Sequence, residues 1–147
     1  MSTATDTSYL IDAFVGVQVV ILTSLTADGA PRSRPMALQE IDPQGGLWFF
    51  IGRSSHLAHE IHTNPKVAIA ADDERTTNYV AVSGKAHAIN DPERIRRLWH
   101  EDYLTWFPLG VADPDLLLIR VDVDAGECWK KGTYLHFVVR GPRAVLG

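Results

Sequence analysis

Two arginines two residues apart, Arg32 and Arg34, open a segment Pro31-Arg-Ser-Arg-Pro-Met-Ala-Leu-Gln39 that follows the turn Ala27-Asp-Gly29. In an extended strand, residues i and i+2 share a face, so both guanidinium groups project to one side. One of them could bind an anion, although a solvated arginine in a surface ion pair is the plainer role for such a pair. Ser54-Ser55, just past the next apolar run, opens a helical pattern and offers hydroxyls and free backbone N–H groups at a positive helix end. An arginine from one strand and a helix start after its hairpin partner can converge on a single phosphate.

His56, His59 and His62 recur every third residue, but successive members drift about sixty degrees around a helix, so the three do not face one metal ion. No metal site is expected. The chain has no Gly-x-Ser-x-Gly elbow, no Gly-x-Gly-x-x-Gly fingerprint and no supported Cys-His pair, which leaves hydrolase and dinucleotide-fold readings without residues. Of the tryptophans, Trp48 and Trp99 lie in apolar patterns and read as core. Trp106, followed by Phe107-Pro108, and Trp129, beside Lys130-Lys131, lie near element ends where an aromatic can cover a ring-shaped ligand or a subunit contact.

The elements that must hold these groups fit in a single domain over residues 1–147. With 46% apolar and 22% charged residues the chain is of ordinary globular composition. A net charge of −4 without any basic block argues against nucleic acid or an anionic membrane as partner. Cys128 is the sole cysteine, so no intrachain disulfide can form, and a reducing, cytoplasmic setting is expected. Neither a targeting nor a membrane-spanning segment is read.

In chain order, Thr5 to Phe14 reads as a short amphipathic helix and Val17 to Leu25 as a strand buried on both faces. The arginine strand follows, then a turn at Asp42-Pro-Gln-Gly-Gly46 and a strand Leu47 to Ile51. Ser54, as N-cap, begins a helix ending at Asn64-Pro65. Strands follow at Lys66 to Ala71 and Tyr79 to Ile89. Asp91-Pro-Glu93 starts a helix whose face carries Ile95, Trp99, Tyr103 and Trp106. Leu116 to Val123 is a sixth strand, and Gly126 to Trp129 with Thr133 to Val139 form a closing pair turned by Lys131-Gly132. Short strands joined by hairpins predict a mainly β (α+β) fold, a six- to seven-stranded antiparallel barrel with flanking helices.

The ordered set Thr23-Ser-Leu, Asp28-Gly, Arg32-Ser-Arg-Pro-Met, Gln39, Leu47-Trp-Phe-Phe, Ser54-Ser, Glu60-Ile, Asn64-Pro, Tyr79-Val-Ala-Val-Ser-Gly-Lys-Ala, Asp91-Pro, Trp106-Phe-Pro and Trp129 resembles the general stress protein branch of the pyridoxamine 5'-phosphate oxidase-like, FMN-binding split-barrel family. The likeness runs from about residue 5 to residue 130. It implies a split-barrel homodimer with FMN at the subunit interface. Carried over by position, Arg34 would contact the FMN phosphate, with Pro35, Met36 and Gln39 on the strand beside the isoalloxazine. Phe50 and Ile51 would give backbone contacts, Ser54 and Ser55 would help hold the phosphate, and Trp106 and Trp129 would approach the flavin or the interface.

The chain departs from the family at informative places. His56 and Leu57 stand where a lysine or arginine usually meets the phosphate. Gln39 stands where true pyridoxamine phosphate oxidases carry a substrate-binding lysine, and the tail after Trp129 lacks their Arg-x-His motif, so vitamin B6 oxidation is not expected. The resemblance therefore implies a flavin-dependent oxidoreductase of unknown small-molecule substrate, with no catalytic acid or base identified. A flavin-binding or flavin-sensing module without turnover and a deazaflavin-dependent reductase are the alternatives.

Overall fold

The computed structural model describes residues 3–139 other than 74, 75 and 77, and the side chains from residue 7 onward. The chain folds as α1 (Thr3–Phe14), β1 (Val19–Leu25), β2 (Pro31–Ala37), β3 (Glu40–Ile41), β4 (Leu47–Gly52), α2 (His56–Thr63), β5 (Lys66–Asp73), β6 (Asn78–Ala88), α3 (Pro92–Leu98), two short 3-10 turns at Glu101–Thr105 and Gly110–Ala112, β7 (Leu116–Lys130) and β8 (Thr133–Val138). All strand pairs are antiparallel, in the order β2-β1-β5-β6-β7-β4-β3, with β8 added to β7. The sheet curls so that β2 comes against β4 and the edges are drawn together as a split barrel.

The expected fold class holds, with eight strands among the described residues where six or seven were expected. The two-residue β3 is new, and the segments 116–123 and 126–129 are one continuous strand. A register shift between Ser83 and Gly84 lets β7 bend there without stopping. Gly84 makes the bend possible, because a Cβ at that position would run into the Asp122 carbonyl.

Inside the barrel, Leu22, Phe49, Ile69, Val82, Ile119 and Phe137 form one apolar cluster, which Leu10 and Phe14 of α1 close at one side. Burying these side chains is the main stabilising term. β1 was expected to be buried on both faces and is not: Val20, Leu22 and Ser24 point inward, whereas Val19 and Ile21 are 56% and 45% exposed. Its apolar run matches a doubly covered strand, yet among the described residues no helix is laid over its outer face.

The helix after Asp91 is also shorter than its apolar face suggests. The Asp91 carboxylate caps it by accepting from the Arg94 amide at 3.0 Å, and Trp99 already has extended backbone. His100 then caps the following 3-10 turn through Nδ1, which accepts from the Asp102 amide. Two local caps in succession therefore break one periodic face into two elements. Trp48 is buried as expected, but Trp99 is only half-buried, packed edge-on to Phe50 and Tyr103. Among the described residues no helix is long and apolar enough to cross a membrane. The divergent tail read from Lys130 onward is described only as far as Val139.

Trp48 belongs to a polar cluster beneath the β3–β4 turn. Asp42 accepts from the Gln44 and Gly46 amides, from Trp48 Nε1 at 2.7 Å and from Arg120 Nε at 3.0 Å. Arg120 also bonds Asp122. A Cβ at Gly46 would strike both Arg120 and Asp42, so this turn comes against the network only with glycine there. Burial disfavours the Asp42 carboxylate. Its hydrogen bonds from Arg120, Gly46 and Trp48 outweigh that cost and hold its pKa below the usual 3.8.

Candidate functional site

A cavity of about 610 Å³ lies between β2, the end of β4, the start of α2 and the first 3-10 turn. That size suits a small molecule or a cofactor. Arg32 and Arg34 stand at one end. Met36, Phe50, Leu57, Trp106 and Phe107 supply apolar lining. The inward face of β2 explains the arginines, since Arg34 lies opposite Leu22 and Arg32 opposite Ser24 in the β1 register.

Both guanidinium groups converge on Glu60, which is 6% exposed on the inner face of α2. Arg34 Nη2 lies 3.1 Å from Glu60 Oε1 and Arg32 Nε 3.4 Å from Oε2. The fully buried Ser24 hydroxyl donates to Glu60 Oε1 at 2.6 Å, and its oxygen accepts from Arg34 Nη1 at 2.8 Å. The Ser24 hydrogen bond, with the two positive charges, keeps the Glu60 carboxyl below its usual 4.5 despite burial. One carboxylate thus separates two cations that would otherwise repel, and the cluster keeps one net positive charge toward the cavity. Arg32 does form the ion pair expected of an arginine on a strand, but its partner is the buried Glu60, which makes it part of the site.

Ser24 and Glu60, quoted within the ordered motif set, were not among the expected site residues. The available signal was Glu60 itself: it sits next to Ile61 and three residues after Leu57 on the apolar face of α2, where a carboxylate requires a partner.

Of the expected site residues, Arg34, Pro35, Met36, Gln39, Phe50, Ile51, Ser55 and Trp106 line this one cavity. Gln39 is oriented by the Tyr103 hydroxyl, which donates to its Oε1 at 2.9 Å. Trp106 is 67% exposed at the mouth, so among the described residues nothing covers its ring. Ser54 and Trp129 are not in the cavity lining. Ser54 faces a different groove, and its amide donates to Asp115 Oδ1 at 2.9 Å. The N-cap of α2 is consequently Ser55, whose Oγ accepts from the Ala58 amide, and not Ser54. Trp129 lies on the outer face of β7 against Tyr134. Leu57, standing where a cation is usual, is buried beside the arginine cluster.

The arrangement can hold a flat, partly apolar molecule carrying an anionic group. The arginine end attracts the charge, and Met36, Phe50 and Trp106 cover the apolar part.

Comparison with known proteins gives consistent results. Residues 5–147 match the family model described as pyridoxamine 5'-phosphate oxidase like. General stress protein 26 of Bacillus subtilis is 32% identical over 110 residues, covering 67% of this chain and 75% of that protein. The crystal structure of General Stress Protein 26 from Bacillus anthracis superposes with a TM-score of 0.72 at 22% identity, covering 93% of this chain and all of the other (100%). A heme binding protein from Mycobacterium smegmatis shares the fold, with a TM-score of 0.69 at 16% identity, over 95% of this chain and 59% of its own.

Proposed function

Because this chain belongs to the pyridoxamine 5'-phosphate oxidase-like family, in its general stress protein branch, we propose that it binds FMN and acts as a flavin-dependent oxidoreductase on a small molecule. The observation that carries this reading is the cavity with cations at one end and apolar walls along its length. Its residues fit FMN. Arg34, supported by Arg32 and Ser55, would hold the phosphate, and Pro35, Met36 and Gln39 would run along the ring system. Phe50 and Ile51 would meet it through their backbone, and Trp106 would cover its exposed face. Bound FMN supplies electron transfer, while the protein contributes binding, orientation and exclusion of water.

With Leu57 in place of a cation and Glu60 neutralising one arginine, the phosphate end carries a single net charge, which favours modest affinity. Arg34→Ala should weaken FMN binding by about 1.5–3 kcal/mol, read by quenching of flavin fluorescence on titration. Unchanged affinity would remove Arg34 from the site. The spectrum of the purified protein separates the cofactors: flavin bands support FMN, a deazaflavin spectrum would replace it, and a Soret band would replace both with heme. Reduction of the bound flavin by NADH or NADPH then separates an enzyme from a binding or sensing module.

The site is also proposed to be completed by a second copy of the chain. Val19 and Ile21 continue across the outer face of the sheet into Pro35 and Ala37 on one side and Ala70 and Ala81 on the other. An exposed apolar stripe of this kind is a docking surface. Trp129, on the same outer side, is available to the partner's cavity. Ile21→Glu should therefore convert a dimer into a monomer in size-exclusion chromatography with light scattering and weaken FMN binding with it. A dimer that persists would move the interface elsewhere.

A further inference from the structure

Behind α2, on the side away from the arginine cavity, lies a second groove of about 640 Å³. Its polar lining is Arg53, Ser54, His59, His62 and His87, with Ser55 shared with the arginine cavity, above an apolar floor that includes Ile61, Ala86 and Leu117, and among the described residues no carboxylate lines it. We propose that this groove is a second binding site, for a small, multiply charged oxyanion, gripped by the three imidazoles and Arg53.

Three features support it. The imidazoles come from two elements, with His59 and His62 on α2 and His87 on β6, so the fold and not a local repeat brings them together. The basic character continues past the groove: Lys85 lies two residues before His87 on the same face of β6 and directly opposite Lys66 of β5. Like charges paired across strands cost stability unless an anion screens them. Among the described residues, none of Arg53, Lys66 and Lys85 has an ion-pair partner, in a chain whose net charge is −4.

The neighbouring acids are already engaged. Asp115, at the rim, accepts from the Ser54 amide. Asp122, opposite Lys85, and Asp42 are held by Arg120, which itself lies opposite His87.

Inorganic pyrophosphate is the probe, titrated calorimetrically at neutral pH and fixed ionic strength. Affinity should fall about tenfold in the triple variant His59→Gln, His62→Gln, His87→Gln. The three side chains are exposed, and unchanged thermal melting verifies that the variant folds. Arg34→Ala should keep the pyrophosphate binding, which separates this groove from the arginine cavity. A parallel titration with citrate assigns the site to oxyanions at large if it binds and to phosphoryl groups if it does not. The proposal is overturned by no saturable binding, by undiminished binding in the triple variant, or by its loss in Arg34→Ala.

Discussion

Glu60→Ala should destabilise the protein by about 3–5 kcal/mol in urea denaturation, because it leaves Arg34 and Arg32 facing each other and strands the fully buried Ser24 hydroxyl. Removing one partner of a buried cluster costs more than the cluster contributes as a whole, since the Arg34 guanidinium and the Ser24 hydroxyl stay largely desolvated, while Arg32 is 45% exposed. Glu60→Gln keeps the shape and removes the charge, and its pH dependence is the sharper test. The folded-state pKa of Glu60 lies below the ordinary 4.5. Its contribution is therefore complete above that value and disappears as the pH falls through the folded value. The stability gap between wild type and Glu60→Gln should be widest from neutral pH down to about 5 and close in stronger acid. A gap independent of pH would show that the charge of Glu60 does not matter.

The same substitution bears on function. With Glu60 neutral, both arginines present their full charge to the cavity, so folded Glu60→Gln should bind a phosphate-bearing ligand at least as tightly as wild type. Stability and ligand affinity then move in opposite directions, which a purely structural carboxylate would not produce.

Asp42→Ala is the second large effect expected, about 3 kcal/mol. It removes the acceptor for the Trp48 indole, two turn amides and Arg120 together. Asp42→Asn retains an oxygen for the amides and should cost about half as much. Because the indole N–H loses its partner, Trp48 fluorescence at zero denaturant should change in Asp42→Ala, a readout tied to that hydrogen bond. A loss below about 1 kcal/mol would mean that water or Asp122 replaces the carboxylate.

Much of this molecule follows from neighbours in sequence. The Lys131-Gly132 hairpin, with φ values of 42° and 83°, the Asp91-Pro92 helix start and the alternation along β5 and β6 were legible because each depends on residues within a few positions. The ordered motifs also led to the family, and period-2 geometry put Arg32 and Arg34 on one face. The failures were local as well as distant. Trp99-His100 ends α3 although the apolar face runs on, since caps compete with periodicity, and Asp115 shifts the α2 cap from Ser54 to Ser55.

What the amino-acid order determined alone is the barrel class, the run of its strands and the arginine pair as a cation source. Only the tertiary structure decided where those charges are used. Glu60 meets Ser24 across 36 positions and Arg120 meets Asp42 across 78. His87 reaches the α2 histidines because β5 returns the chain to β6. Periodicity states which face a side chain takes, but the partner on that face depends on sheet order and register, which closing the barrel sets through burial shared by all its strands.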